Sequence, residues 1–158
     1  MRQHRSICKI LFSLFAGILL AYVTPTATAQ ESPHPSPEKV RVNVYRYKQY
    51  MGKGLRPSIY CDGKDAARLQ DGRYVVLLMT PGMHTFRSND EQSQIEVDLK
   101  SGQQYYIRID IAEGFWKGHG RLTLVQAEQG AAELKQMKPV DSGMIKDKEL
   151  VAPDFHPN

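Results

Sequence analysis

Residues 58–88 read SIYCDGKDAARLQDGRYVVLLMTPGMHTFRS, and this stretch decides the fold class. Short apolar runs alternate with the turn dipeptides Asp62-Gly63, Asp71-Gly72 and Pro81-Gly82. Asp-Gly is a hairpin signal because the tightest hairpin turns need positive φ, which these residues tolerate best. The spacing predicts strands at Arg56–Cys61, Ala66–Gln70, Tyr74–Met79 and Met83–Ser88. In the first strand Ile59 and Cys61 share one face, and Pro57 suits a first residue or an edge. Tyr74 to Met79 (YVVLLM) is apolar almost throughout, as expected for a strand covered on both faces.

Outward from this stretch the period of two continues. Val40 to Tyr47 (VRVNVYRY) sets Val40, Val42 and Val44 on one face and Arg41, Asn43 and Tyr45 on the other. Gln94 to Lys100 turns Ile95, Val97 and Leu99 inward, and Ser101-Gly102 leads into Gln104–Ile111, where Tyr105, Ile107, Ile109 and Ile111 share the inner face. Arg121–Ala127 closes the set. The expectation is an all-β fold: a small antiparallel β-sandwich of about seven to eight strands. Glu128–Met137 is the one credible helix, with Gly130 keeping it short or marking its start. The domain is expected over 39–138, between a Pro/Ser-rich arm at 30–38 and a loosely ordered tail at 139–158 that is rich in prolines and alternating charges.

The N-terminus has the parts of an export signal. Arg2, Arg5 and Lys9 precede a 14-residue apolar run, Ile10 to Val23, which is short for a membrane span. Ala27-Thr28-Ala29 offers small side chains for cleavage before Gln30, leaving 129 residues. Cys8 lies ahead of the apolar run and no lipid-accepting cysteine follows it, so a soluble periplasmic or secreted product is expected, with no transmembrane span after cleavage. The formal charge of +4 from 21 basic and 17 acidic residues falls to +1 without the signal, which holds three bases and no acid. A nearly neutral chain lacks the footprint of a nucleic-acid binder. Cys61 is then alone, and its alternation with Ile59 points to burial as a small hydrophobe.

The order Tyr60-Cys61-Asp62-Gly63-Lys64, Leu69-x-x-Gly72-x-Tyr74 and Pro81-Gly82-x-His84-Thr85, followed by Gly102-x-x-Tyr105-Tyr106-x-Arg108 and Arg121-Leu122-x-Leu124-Val125, resembles the bacterial family catalogued as domain of unknown function 2846. It is more distantly similar to the small PEGA sandwiches. The resemblance spans about residues 40–136 and implies an exported envelope protein with a prealbumin-like or related sandwich. It implies no activity and no catalytic residues. Similar members are often lipoproteins, and this chain departs from them by lacking the lipid-accepting cysteine.

No strong signature of chemistry stands out. The histidines outside the signal, His34, His84, His119 and His156, are not at ligand spacing, so no metal site and no cofactor are expected. Asp62 and Asp65 flank a turn, which is turn chemistry more often than a calcium loop. His84 or His119 with Asp110 and a serine can be drawn as a hydrolytic triad, but no Gly-x-Ser-x-Gly elbow supports it. Gly52-Lys53-Gly54 and Gly118-His119-Gly120 lack the strand-loop-helix setting of a phosphate cradle. Glu96 and Asp98 alternate with apolar residues and read as a solvated face.

Two surface features remain. Arg41, Arg46, Lys48, Lys53 and Arg56 are interleaved with Tyr45, Tyr47 and Tyr50, and either meet an anionic envelope polymer or pair across strands with Asp90, Glu91, Glu96 and Asp98. The loop Glu113–Gly120 carries three glycines, Phe115 and the only tryptophan, Trp116. Phe115, Trp116, Lys117, His119 and Arg121 form the candidate binding site, where aromatics beside bases stack on a sugar or anchor a protein. The competing reading is a plug that fills the open end of the sandwich. The function expected is a non-catalytic exported envelope module that binds or scaffolds a protein partner. The alternatives are a saccharide- or peptidoglycan-binding module and a small periplasmic hydrolase.

Overall fold

The computed structural model describes residues 38–50, 52–89, 91–111 and 120–157. The expected signal at 1–29, the arm up to residue 37 and the loop 112–119 lie outside the described residues. The alternating segments form β1 (Val40–Arg46), β2 (Ser58–Cys61), β3 (Lys64–Arg68), β4 (Arg73–Met79), β5 (Gly82–Arg87), β6 (Ile95–Leu99), β7 (Gln104–Ile111), β8 (Gly120–Val125) and a two-residue β9 (Lys138–Pro139). One helix, α1, spans Ala127–Leu134. Two sheets stack as a sandwich, one in the order β8-β7-β1-β4-β9 and the other β3-β2-β5-β6. Asp62 and Gly63 both take positive φ, 49° and 81°, the conformation that a tight hairpin between β2 and β3 demands.

The first sheet buries both faces. Val40, Val42, Val44, Val75, Leu77, Ile107 and Ile109 point to the second sheet and meet Ile59, Phe86, Val97 and Leu99. On the opposite face Tyr45, Tyr106 and Met137 form a second apolar cluster that α1 covers through Ala131 and Leu134. Val75, Val76 and Leu77 are all buried, as the apolar run of β4 predicts. Cys61 is buried within the sandwich, and burial, with Asp62 and Asp147 adding to it, pushes its thiol up to about 12.

Three expectations need correction. The first sheet is mixed, because β1 pairs with β7 in parallel and β4 with β9 in parallel. A period of two is the same for either ladder, so alternation alone cannot separate them. The basic residues of β1 follow neither expected course. Arg41 pairs with Asp154 at 2.8 Å, while Arg46 lies on the same inward face as the valines and is 0% exposed.

Third, the C-terminal residues are not loose. Val140, Ala152 and Phe155 are buried, and the backbone of 138–152 bonds to the open edges of both sheets. The amides of Lys138, Val140 and Ala152 donate to Gly72, Tyr74 and Val76, and Leu78 N–H donates to Leu150. On the second sheet the amides of Lys146 and Asp147 donate to Ala66, and Ile145 bridges Ala67. This segment is a strap across one side of the sandwich, closing the edges of β4 and β3. Its composition is that of a linker because its polar groups face solvent and its order comes from strands distant in sequence.

Gly130 sets the approach of α1 to β7. A Cβ there would lie 2.4 Å from both Cβ and Cγ of Tyr106, atoms that cannot swing away. In an exposed helix Gly→Ala gains about 1 kcal/mol. Here overpacking of about 1–3 kcal/mol outweighs it. Gly130→Ala is therefore expected to lower the urea midpoint of unfolding; a raised midpoint would show that α1 can lift from the sheet without cost.

Candidate functional site

Of the five residues expected to bind, the structure places Arg121, while Phe115, Trp116, Lys117 and His119 lie outside the described residues. Arg121 is exposed near the start of β8, in register with Asp110 of β7. The end of the sandwich from which it projects is built around Arg46. Its Nη2 donates to Gly52 O at 2.6 Å, its Nη1 donates to Leu55 O, and Asp71 lies at 3.8 Å. Burial draws the guanidinium below its ordinary value, and Asp71 opposes that shift. Asp71 also accepts the Gln49 N–H at 3.0 Å, and Gln49 Oε1 accepts the Ile111 N–H at 2.9 Å. A buried cation bonded to loop carbonyls fixes the 47–57 connection; it is not offered to an external polymer.

The triad drawn with His84 does not assemble, and His119 lies outside the described residues. His84 Nδ1 lies 2.7 Å from Asp62 Oδ2, and Nε2 lies 2.9 Å from the Thr80 carbonyl. Both ring nitrogens are thus engaged by oxygens of the protein itself. Asp62 also accepts the Thr85 N–H at 2.9 Å. Although burial works against it, the Thr85 amide and His84 hold the Asp62 carboxyl below its ordinary range. This pair ties the β2–β3 turn to β5. Asp110 instead accepts from Arg108 Nε at 3.0 Å.

A second polar cluster docks α1 on the first sheet. Tyr45 Oη donates to Glu133 at 2.7 Å, Gln129 Nε2 donates to the same carboxylate at 2.7 Å, and Arg108 Nη1 lies 3.3 Å from it. Burial, then the bond to Glu133, pushes the Tyr45 hydroxyl upward, so it stays protonated and donates. Burial opposes the charge on Glu133, but Tyr45, Gln129 and Arg108 outweigh it and hold the carboxyl below the usual glutamate range.

The strap forms an open cleft of about 480 Å³ that the sequence reading missed. The turn at Ser142–Met144 makes one wall and residues 151–157 the other. Ile145, Val151 and Phe155 supply apolar lining, and Lys148 stands exposed among them. The ring of Phe155 packs edge-on against Tyr74, with centroids 5.6 Å apart at 74°, which anchors the cleft to β4. A signal was present in the apolar residues at five-residue intervals, Val140, Ile145, Leu150 and Phe155. That spacing matches neither a helix nor a strand, so periodicity does not flag it. Among the described residues no three His, Cys, Asp or Glu side chains gather as a metal site, and no helix is long and apolar enough to cross a membrane.

Comparison with known proteins places this arrangement. The family described as "Protein of unknown function (DUF2846)" matches residues 36–121, more than half of the chain. The chain belongs to this family. The match covers β1 to β7 and reaches the start of β8, whereas α1 and the strap lie beyond it. A Haemophilus influenzae protein described as uncharacterized is 27% identical over 131 residues, covering 81% of this chain and 77% of that protein. No solved structure matches.

The Glu133 cluster makes a pH prediction. A carboxyl held below its unfolded value, about 4.3 for glutamate, contributes stability above that value and loses it as pH falls through the folded value. Wild type should lose more stability between pH 6 and pH 3 than Glu133→Gln, read as the urea midpoint at each pH. Equal losses would remove Glu133 from the docking of α1.

Proposed function

We propose that this family member is an exported envelope module that binds a protein partner and turns over no substrate, and that an apolar segment of the partner seats in the strap cleft. The cleft is the observation that carries the reading. Its volume of about 480 Å³ lies within the range of ligand-binding clefts. Ile145, Val151 and Phe155 provide apolar contact, and Lys148 can meet an acidic group beside it. Two sheet edges hold the cleft walls by backbone hydrogen bonds, so binding need not order them first. The occupied ring nitrogens of His84 and the pairing of Asp110 with Arg108 support a role without catalysis. The sequence at 1–29 supports export. Phe115, Trp116, Lys117, His119 and Arg121 belong to the same proposal as a second contact.

Gly143 permits a clean test, since it lines the cleft and a Cβ there meets nothing within 4 Å, so a larger side chain at this position does not clash with the fold. A photo-crosslinker at Lys148 in producing cells is expected to capture one discrete envelope protein, and Gly143→Phe should abolish that product while export is unchanged. An identical crosslinking pattern in Gly143→Phe would sink the cleft as the site. On the same protein, acrylamide quenching of Trp116 should fall when the captured partner is added. A tryptophan already protected and indifferent to the partner would remove the loop residues from the contact.

A further inference from the structure

We propose that two copies of this chain associate about a two-fold axis parallel to the strands, each β8 edge pairing with the partner copy's β6 edge, with Arg121 of one copy against Glu96 of the other. The inference rests on which sheet edges are covered and not on the strap cleft as a binding site. The strap satisfies β4 and β3 on one side of the sandwich. The other side carries β8 at the end of the first sheet and β6 at the end of the second. Among the described residues neither of these strands has a second strand partner. Both ladders run without a bulge, and neither strand contains proline. Strand edges without a strand partner invite another strand, although the Tyr105 hydroxyl already takes the Lys100 N–H and the Asp98 carbonyl at the far end of β6.

The chain's own geometry sets the register. A β-bridge joins no residue across the two layers, but Gly120 at the start of β8 sits over Ser88, whose Oγ would lie 3.0 Å from a Cβ there. Ser88 directly follows β5, and β6 begins at Ile95 on the same end of the sandwich. Thus β8 and β6 start at one level and run in the same direction. A two-fold axis along the strands keeps that level and direction, so it brings β8 beside the partner copy's β6 as a parallel pair and makes both sheets continuous.

Parity and charge agree with this pairing. The Tyr105 hydroxyl accepts from Lys100 N–H and donates to the Asp98 carbonyl, which identifies Glu96, Asp98 and Lys100 as the residues whose backbone groups face outward from β6. On β7, Ile111 N–H and the Tyr105 carbonyl bond toward Gln49 and Asn43, so its intervening residues serve β8 and leave Gly120, Leu122 and Leu124 facing outward. Leu122 set beside Val97 meets the free carbonyl of Glu96 and the free N–H of Asp98. Arg121 then lies beside Glu96, and the pairing ends there, because the Tyr105 hydroxyl already holds the Asp98 carbonyl and the Lys100 N–H that Leu124 would meet. Asp98 is held by Lys100, whereas Arg121 and Glu96 are both exposed with no ion pair among the described residues. The competing axis, perpendicular to the sheets, would set each β6 against its own copy and oppose Glu96 to Asp98, a like-charge pairing.

Sedimentation of the purified exported chain over a range of concentrations tests this. Wild type should form a dimer, and Arg121→Glu or Glu96→Arg should each weaken it about tenfold or more, as expected for a charge reversal at a docked edge. The double variant, Arg121→Glu with Glu96→Arg, should restore association. Both positions are exposed, so circular dichroism should be unchanged in every variant. A wild type that stays monomeric at every concentration overturns the proposal. So does a dimer that ignores the single reversals, or one that the double variant fails to restore.

Discussion

A sheet that is apolar on both faces must be covered twice, and the rest of this structure follows from that constraint. The strand pair β1 and β4 buries Val42, Val44, Val75 and Leu77 toward the second sheet and Tyr45 and Val76 on the reverse. The second sheet can cover only one of these faces. The helix and the last residues of the strap, where Asp154 meets Arg41 and Phe155 meets Tyr74, return over the other, while residues 138–152 run along the edges of both sheets. The same return satisfies the outer edge of β4, whose backbone groups would otherwise face water beside a large apolar surface.

Charged side chains in this protein mostly hold backbone. Arg46 grips the carbonyls of Gly52 and Leu55, Asp62 takes the Thr85 amide, and Arg73 donates to the Pro139 carbonyl at 2.8 Å. Each joins a turn or loop to a strand of distant sequence, and each is costly to leave unpaired once buried. A catalytic group needs a free lone pair or a mobile proton, so residues used in this way are poor candidates for chemistry. What the surface does offer is shape: a cleft made by the strap, and the outer edges of β8 and β6, which have no strand partner among the described residues.

The family match ends near the start of β8, before the helix and strap. The segment that creates the cleft thus stands outside the part that defines the family. The family identity accordingly speaks to the sandwich, and α1 and the strap lie beyond it.

Strand positions, the hairpin turns, the short helix and the burial of Cys61 were legible in the sequence, because alternation and turn chemistry act over a few residues. So was the double covering of β4, since YVVLLM has no polar face to give to water. The parallel pairing of β1 with β7 was not, because a strand's side-chain pattern is the same whichever direction its neighbour runs. The inward turn of Arg46 was equally hidden: its acceptors are carbonyls of a loop whose path local sequence does not specify. The strap was misread for the same reason. Its prolines and charges describe its solvent side, while its order comes from edge groups on β4 and β3 that lie some seventy residues away in sequence. Local chemistry determined the elements; long-range hydrogen bonding and the need to cover a second apolar face decided how they close.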